Sequence, residues 1–143
     1  MKIKNISNNP LPEYATKGSA GMDLRAWLPD GPVTIKPGER VLIGTGLFID
    51  LIRGFELQIR SRSGLALKHG IIVLNSPGTI DPGYPDEIKI ILINLGNEDF
   101  TVNSGDRIAQ MVLAKTEKLY PDLVDELDMR DDRGGGFGHT GIS

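Results

Sequence analysis

Turn signals recur along this chain and divide it into segments too short for long helices. Residues of the kinds that favour turns, mainly glycine, proline, asparagine and aspartate, cluster at positions 30–32, 36–38, 53–54, 77–78, 82–83, 96–97 and 103–105. In the segment GFELQIR, the apolar residues Phe55, Leu57 and Ile59 alternate with polar ones. This alternation predicts a strand with one buried and one solvated face.

The remaining segments extend the same pattern. Segments 87–94 and 107–116 are apolar enough to form more deeply buried strands, and only segments 64–70 and 121–128 have room for a helical turn or two. Strands at short, fairly regular spacing are typical of an all-β barrel or sandwich.

Composition excludes several classes of protein. A chain of 143 residues with 39% hydrophobic and 24% charged residues is typical of one soluble globular domain. The net charge of −3 argues against a general binder of nucleic acid or membrane surfaces. The chain has no cysteine, which excludes a disulfide framework, a thiol nucleophile and a cysteine-type zinc site. With no apolar run long enough for a signal peptide or a membrane span, we expect a soluble, cytoplasmic protein.

Three regions are expected along the chain: a β-barrel catalytic domain over 1–120, an acidic connector over 121–132 and a flexible glycine-rich flap over 133–143. Residues 133–141, RGGGFGHTG, contain five glycines beside one arginine and one phenylalanine. Because glycine loses the most backbone freedom on ordering, such a segment is mobile until something immobilises it. It is either a disordered end or a flap that orders over a ligand.

Two segments in the first half carry candidate binding groups. In the segment SAGMDLRA, 19–26, two small residues before Asp23 allow the backbone to come close to another group or a ligand. The alternative is a turn that Asp23 caps. In RSRSGLA, 60–66, Arg62 offers a planar fork of donors, Ser63 a hydroxyl and Gly64 an unshielded N–H. Together they predict a small cradle for phosphate oxygens, the alternative being a solvated strand end.

Two segments in the second half are also candidates. The segment NSPGTIDPGYPDE, 75–87, predicts a β-hairpin. Such a hairpin could present its backbone groups to a nucleobase and the Tyr84 ring to a sugar. The alternative is that Asp81 only initiates a Pro-Gly turn. Gln110 lies inside an apolar strand, where its amide needs hydrogen-bond partners. It is either a core residue whose amide is hydrogen-bonded within the fold or a residue of the site. His69 and His139 lack ligand spacing, so neither is expected to bind a metal.

Taken in order, five segments resemble the five motifs of the homotrimeric dUTP pyrophosphatases, or dUTPases. They are AGMDL, RSG, GTIDPGY, GDRIAQ and GGFG, at 20–24, 62–64, 78–84, 105–110 and 135–138, and they span nearly the whole chain. The resemblance implies a distorted, jelly-roll-like β-barrel and a closed homotrimer with three active sites at the subunit interfaces.

The resemblance also implies the activity, which is hydrolysis of dUTP to dUMP and pyrophosphate with Mg²⁺. This reaction keeps uracil out of DNA and supplies dUMP for thymidylate synthesis. By that likeness Asp81 is the general base that activates a water for in-line attack on the α-phosphorus. Mg²⁺ is held mainly by the substrate phosphates, and Asp23 holds the metal's water shell or the sugar side of the pocket.

The remaining site residues follow from the same resemblance. Tyr84 packs under the deoxyribose, where it leaves no space for a 2′-hydroxyl, and the 5-methyl group of thymine collides with the tight hairpin at 75–87. The phosphate chain is bound by Arg62, Ser63 and Gly64, and Gln110 helps to orient the phosphate or the attacking water. The uracil edge is read by Asn75 and the backbone of Gly78, Thr79 and Ile80. In the closing tail Phe137 stacks on uracil, and the terminal phosphates are contacted by Arg133, Gly138, His139 and Thr140.

The chain departs from the family pattern at three places. Asp86 replaces a glycine that is usual before the glutamate of the third motif, which adds a carboxylate beside a polyanion site. Arg133 lies four positions before Phe137, where the family arginine commonly lies five before it. Ser61 replaces a frequent proline.

Two other functions fit parts of the sequence. A dCTP deaminase is a related trimer that acts on the base, but those chains are typically longer and carry a glutamate base. A non-catalytic nucleotide sensor or partner-binding module on the same fold is the second alternative, and Asp86 favours it slightly. Release of pyrophosphate without ammonia identifies a dUTPase, and binding without turnover identifies a sensor.

Overall fold

A computed structural model describes residues 1–127 of the chain. In this part the elements run β1 (Lys2–Asn5), β2 (Gly21–Arg25), β3 (Val33–Ile35), β4 (Arg40–Gly44), β5 (Leu47–Asp50), β6 (Phe55–Arg60), α1 (Ser63–His69), β7 (Ile71–Val73), β8 (Gly78–Ile80), β9 (Lys89–Asn94), β10 (Phe100–Val102) and β11 (Arg107–Lys115). The all-β prediction is confirmed. The three strands expected from their patterns are β6, β9 and β11, and the helical turn expected at 64–70 is α1.

The described strands pair into four sheets. The largest has the order β2-β11-β6-β8, a second has the order β4-β9-β7, and β1-β5 and β10-β3 form two-stranded ribbons. All of these pairings are antiparallel. Within residues 1–127 no sheet closes on itself, so hydrogen bonding is not continuous around a barrel.

One hydrophobic core joins the two larger sheets. Leu57 on β6 and Met111 on β11 are fully buried, as are Ile90 and Leu92 on β9 of the other sheet, and all four belong to one cluster. Each such side chain stabilises the fold by about 1.5–3 kcal/mol relative to leaving it exposed. The outward faces of the same strands are therefore available for polar side chains.

The predicted hairpin at 75–87 is wrong. β8 pairs with β6, whereas β9 pairs with β4 and β7 in a different sheet. The predicted turn is present, because the Tyr84 N–H donates to the Asp81 carbonyl at 3.2 Å and Gly83 has a φ of +87°. After the turn, the Ile88 side chain is fully buried, and the Ile88 N–H donates to the Leu47 carbonyl at 2.8 Å. The segment thus crosses between sheets: β8 lies in the sheet of β6, and β9, which follows the segment, lies in the sheet of β4 and β7.

The chain leaves the folded body after β11. The Thr116 N–H donates to the Gly54 carbonyl at 3.0 Å, and no helix forms over 121–127, where a helical turn was expected. Leu119 and Leu123 are 95% and 101% exposed. A short helix needs a surface for its apolar face, and residues 1–127 of this chain provide none for this segment. Within residues 1–127 no helix is long and apolar enough to cross a membrane.

Asn94 is a buried polar residue at the end of β9. Its Nδ2 donates to the carbonyls of Ile35 and Glu98, both at 2.8 Å, and its Oδ1 accepts the Gly96 N–H at 2.8 Å. One amide therefore forms hydrogen bonds with three backbone groups.

We expect Asn94→Ala to lower the free energy of unfolding by about 2 kcal/mol, because it leaves partly or fully buried backbone groups unpaired. Urea unfolding at a fixed protein concentration measures this loss. Asn97→Ala, which changes an exposed residue of the same loop, is the matched control and should stay within about 0.5 kcal/mol of the parent. Equal losses in both variants would contradict the role of Asn94.

Candidate active site

Asp23 lies in the middle of β2 and is held between two arginines. Its neighbours Met22 and Leu24 are buried, so its side chain projects from the opposite face of the strand. Oδ1 accepts from Nε of Arg62 at 3.0 Å, and Oδ2 accepts from Nη1 of Arg107 at 3.1 Å. Asp23 is thus a strand residue in an ion-pair cluster, and the alternative that it caps a turn is wrong.

Gln110 lies on β11 directly between Asp23 on β2 and Arg60 on β6. Its Nε2 donates to the Ser61 carbonyl at 3.0 Å. A Cβ built on Gly21 would lie 2.7 Å from Oε1 of Gln110. The close approach expected at 19–26 is therefore made by the amide of Gln110, and glycine at position 21 leaves room for it.

Arg62, Ser63 and Gly64 lie where β6 ends and α1 begins. Nε of Arg62 contacts Asp23 and its Nη1 donates to the Arg107 carbonyl at 2.9 Å, while Nη2 has no partner within residues 1–127. Ser63 and Gly64 are exposed, and a Cβ on Gly64 would meet no atom within 4 Å. The geometry leaves an open space beside donor groups, and phosphate binding there stays a prediction.

A cavity of about 280 Å³ adjoins this cluster. It is lined by Arg62, Leu65, His69, Phe100, Asp106, Arg107 and Ile108. The rings of His69 and Phe100 are 5.1 Å apart, which indicates that His69 packs against its neighbour. Within residues 1–127 there is no group of three histidine, aspartate or glutamate side chains close enough to share a metal.

The residues expected to read the base lie along β8 and the turn after it. Gly78 is buried, and a Cβ there would lie 3.2 Å from the Ile59 side chain and 3.3 Å from Nδ2 of Asn75. Asn75 and Thr79 are exposed. A side chain at position 78 would therefore be tightly packed, and its neighbours would have to shift by a few tenths of an ångström to accept it.

The turn after β8 carries Asp81 and Tyr84. Asp81 is exposed, and the hydroxyl of Tyr84 donates to the Glu87 carbonyl at 3.4 Å. Tyr84 lines a cavity of about 330 Å³ together with Lys4 and Phe48. Asp86 is also exposed and forms no ion pair in the described part of the chain.

The structure does not bring these two groups of residues together within one chain. Ile80 pairs with Leu57 on β6, so Asp81 lies near the level of Glu56. Arg62 follows the opposite end of the same strand. At about 3.3 Å per residue of strand, this places Asp81 and Arg62 on the order of 15–20 Å apart along β6.

Two residues of this region were not assigned a role from the sequence. Arg107 contacts Asp23, which is 84 positions away in the chain. Glu87 accepts the Gly46 N–H through Oε1 at 2.8 Å and lies 3.6 Å from the Lys89 ammonium through Oε2. The contacts with Asp23 and with the Gly46 N–H have no local sequence signal, because each joins residues more than 40 positions apart.

Ser61, which replaces a proline that is frequent in the family, makes a structural contact. Its Oγ accepts the Val73 N–H at 2.9 Å, which links the end of β6 to β7. The tail residues expected in the site, namely Arg133, Phe137, Gly138, His139 and Thr140, lie outside the described residues.

Comparison with known proteins gives one consistent result. A family model described as dUTPase matches residues 7–141. Proteins named deoxyuridine 5′-triphosphate nucleotidohydrolase are similar over nearly the full chain. The one from Finegoldia magna is 55% identical and covers 99% of this chain and 98% of its own. The one from Rickettsia felis is 56% identical, with 99% and 97% covered.

Solved structures agree on the fold. The dUTPase of Staphylococcus bacteriophage 80alpha with dUPNHPP has a TM-score of 0.83 at 24% identity and covers 99% of this chain and 98% of that one. A dUTPase mutant from phage phi11 of S. aureus, described with a structural Mg(II) ion, has a TM-score of 0.79 at 21% identity, with 89% and 97% covered. The family model, the relatives and the fold all lead to one conclusion: the chain belongs to the dUTPase family.

Proposed function

We propose that this chain is a dUTP diphosphatase that hydrolyses dUTP to dUMP and pyrophosphate in active sites shared between copies of the chain. Support for the activity comes from the family, since the relatives at 55% and 56% identity carry the name of this activity. Support for the shared site comes from one observation, the separation of Asp81 from Arg62 along β6.

The reaction requires a base close to the phosphate chain. A general base must come within about 2.6–3.2 Å of the water that it deprotonates. That water attacks the α-phosphorus, so Asp81 must approach the phosphates that Arg62, Ser63 and Gly64 bind. Because both ends of β6 belong to one paired strand, a single chain cannot close this gap, and Asp81 comes from a second copy.

A closed ring of copies satisfies this requirement at every site. In a cyclic trimer each chain contributes Arg62, which follows one end of β6, to one site and Asp81, which lies near the other end, to the next site. The segment 116–127 fits the same arrangement, because Leu119, Tyr120, Leu123 and Leu127 are 76–101% exposed. Another copy would cover these side chains, and the segment would carry Phe137 and the rest of the tail to a third site.

The chemical step then uses groups of this chain in defined roles. Asp81 accepts a proton from the water whose oxygen forms a bond to the α-phosphorus. The bond from that phosphorus to the oxygen bridging the α- and β-phosphates breaks, and pyrophosphate leaves. An aspartate is a weak base, so correct placement of the water supplies most of the rate. Gln110 orients the phosphate or the attacking water.

The described residues do not fit a magnesium centre held by protein ligands. Both oxygens of Asp23 already accept hydrogen bonds from guanidinium groups. Two cations beside a carboxylate make it a poor ligand for a third. Mg²⁺ therefore enters as part of the substrate, the magnesium complex of dUTP, with phosphate oxygens as its main ligands. A contact between Asp23 and the ion's water shell stays a prediction from the family resemblance.

Selectivity comes from the segment around β8. Tyr84 packs under the deoxyribose and excludes a 2′-hydroxyl, and Asn75 with the backbone of 78–80 reads the uracil edge. Asp86 adds a negative charge on the exposed surface of this segment. A pyrophosphate-release assay with dUTP, dTTP, dCTP and UTP, with and without Mg²⁺, tests the proposal. Ammonia release from dCTP would instead identify a deaminase.

We expect Asp81→Asn to reduce kcat for dUTP by roughly 10²- to 10⁴-fold, because the variant keeps the shape and hydrogen bonding of the side chain but loses the base. Affinity for dUPNHPP should change little. Pyrophosphate release measures the first quantity and calorimetric titration the second. Turnover within a few-fold of the parent would show that another group is the base.

Mixed trimers test whether the site is shared. Asp81→Asn and Arg62→Ala should each be nearly inactive alone. When the two are unfolded together and refolded at equal concentration, about a quarter of sites should pair an intact Asp81 with an intact Arg62, since two positions in a closed ring are filled independently. Activity should therefore reappear from two inactive parents.

A matched mixture controls this experiment. The double variant Asp81→Asn with Arg62→Ala, refolded with Asp81→Asn alone, contains no intact Asp81 and should stay inactive. If the first mixture also stays inactive while mass spectrometry finds mixed trimers, each site takes both residues from one chain.

Gly21→Ala tests the role of Gln110 without touching it. The new methyl group would overlap Oε1 of Gln110, so the flexible amide must move. We therefore expect kcat/KM for dUTP to fall about 10-fold or more, which is the scale of losing an oriented site group. Gly18→Ala adds the same methyl where no atom lies within 4 Å and should keep parental activity. Equal kcat/KM values in both variants would argue that Gln110 is only a structural amide.

A further inference from the structure

We propose that Arg107 is a positioning residue for the phosphate site, acting through Asp23 to hold the guanidinium of Arg62 in its binding orientation. The inference rests on the proposed function, because it takes Arg62 as a ligand of the substrate phosphates. It assigns a role to Arg107 that the sequence did not indicate.

The three side chains form one connected cluster. Oδ1 of Asp23 accepts a hydrogen bond from Nε of Arg62 at 3.0 Å, and Oδ2 accepts one from Nη1 of Arg107 at 3.1 Å. Nη1 of Arg62 donates to the backbone carbonyl of Arg107 at 2.9 Å. Arg62 is therefore fixed at two of its three nitrogens, and both contacts involve Asp23 or Arg107.

The third nitrogen of Arg62 remains available. Its Nη2 has no hydrogen-bond partner among residues 1–127. An arginine side chain has several rotatable bonds, and ordering them on binding costs affinity. Because the cluster has already ordered Arg62, a phosphate that binds at Nη2 does not incur this cost.

Arg107 is needed because one contact leaves a carboxylate free to turn. The terminal torsion of an aspartate is broad, so a bond to one oxygen does not define the plane of the group. The bond from Arg107 to Oδ2 restrains that torsion, and the orientation of Oδ1 then determines where Nε of Arg62 lies. Two cations around one anion also leave the cluster with a net positive charge, which favours a phosphate ligand.

An irregularity in β11 places Arg107 on the correct face. Arg107 pairs with Arg25 and Ala109 pairs with the next residue of β2, Leu24, so one extra residue, Ile108, is inserted between them. Ile108 and Ala109 are both buried. Without this bulge, strict alternation from Gln110 would direct residue 107 toward the core. The bulge turns its side chain outward to Asp23, as bulges beside active sites commonly do.

A purely stabilising role does not account for this arrangement. The side chains of Asp23, Arg62 and Arg107 are 33%, 26% and 51% exposed. Ion pairs of this exposure contribute little to stability, because water screens them. A second arginine on the same carboxylate would add little to folding but restrains the orientation of the group.

The test measures affinity for dUPNHPP by calorimetric titration in Arg107→Ala, Arg62→Ala and the double variant. We expect Arg107→Ala to weaken binding by about 10-fold, the scale of losing one charge-assisted hydrogen bond. The double variant should bind no more weakly than Arg62→Ala, because Arg107 acts through Arg62. Arg107→Lys, which keeps the charge, should recover part of the affinity. The urea midpoint should stay near the parental value in every variant.

Arg40→Ala is the matched control, since Arg40 is exposed at the start of β4 in the other sheet, and its affinity should be parental. Parental affinity in Arg107→Ala would overturn the inference, as would additive losses in the double variant, which would mean that Arg107 binds substrate directly. A fall in affinity that only accompanies a lower urea midpoint would also overturn it. Failure of the parent protein to bind dUPNHPP or to hydrolyse dUTP would instead reject the proposed function.

Discussion

The antiparallel pairing of β11 with both β2 and β6 is the interaction on which the rest of the site depends. It sets Gln110 between Asp23 and Arg60 and brings Ser61 within reach of the Gln110 amide. The buried inner faces of these strands fix the register, since a slip of one residue would exchange core and solvent faces. Residues far apart in sequence therefore meet with defined spacing, and a rigid support holds the polar cluster.

The same rigidity keeps Asp81 apart from Arg62. β6 carries Arg62 beyond one end, and its pairing with β8 places Asp81 near the other. No local adjustment of a paired strand can bring the two together. In the reaction that we propose, Asp81 and Arg62 therefore come from different copies of the chain.

Departures from the family pattern act through neighbours. Ser61 uses its hydroxyl to accept the Val73 N–H, a contact that a proline cannot make. Asp86 lies on an exposed turn, while the adjacent Glu87 is bonded to the Gly46 N–H. The segment after β8 is anchored by the contacts of Glu87 and Ile88, and Asp86 itself projects from the exposed surface.

By itself the sequence determined the all-β class, the positions of β6, β9, β11 and α1, and the family, because alternation, turn residues and short motifs are local signals. Tertiary structure decided that the segment 75–87 crosses between sheets and that Asp23 lies between two arginines. The contact of Arg107 with Asp23 depends on a bulge and on two strands 84 positions apart in sequence. Long-range strand pairing and register, which leave no local pattern, decide which polar side chains share a site.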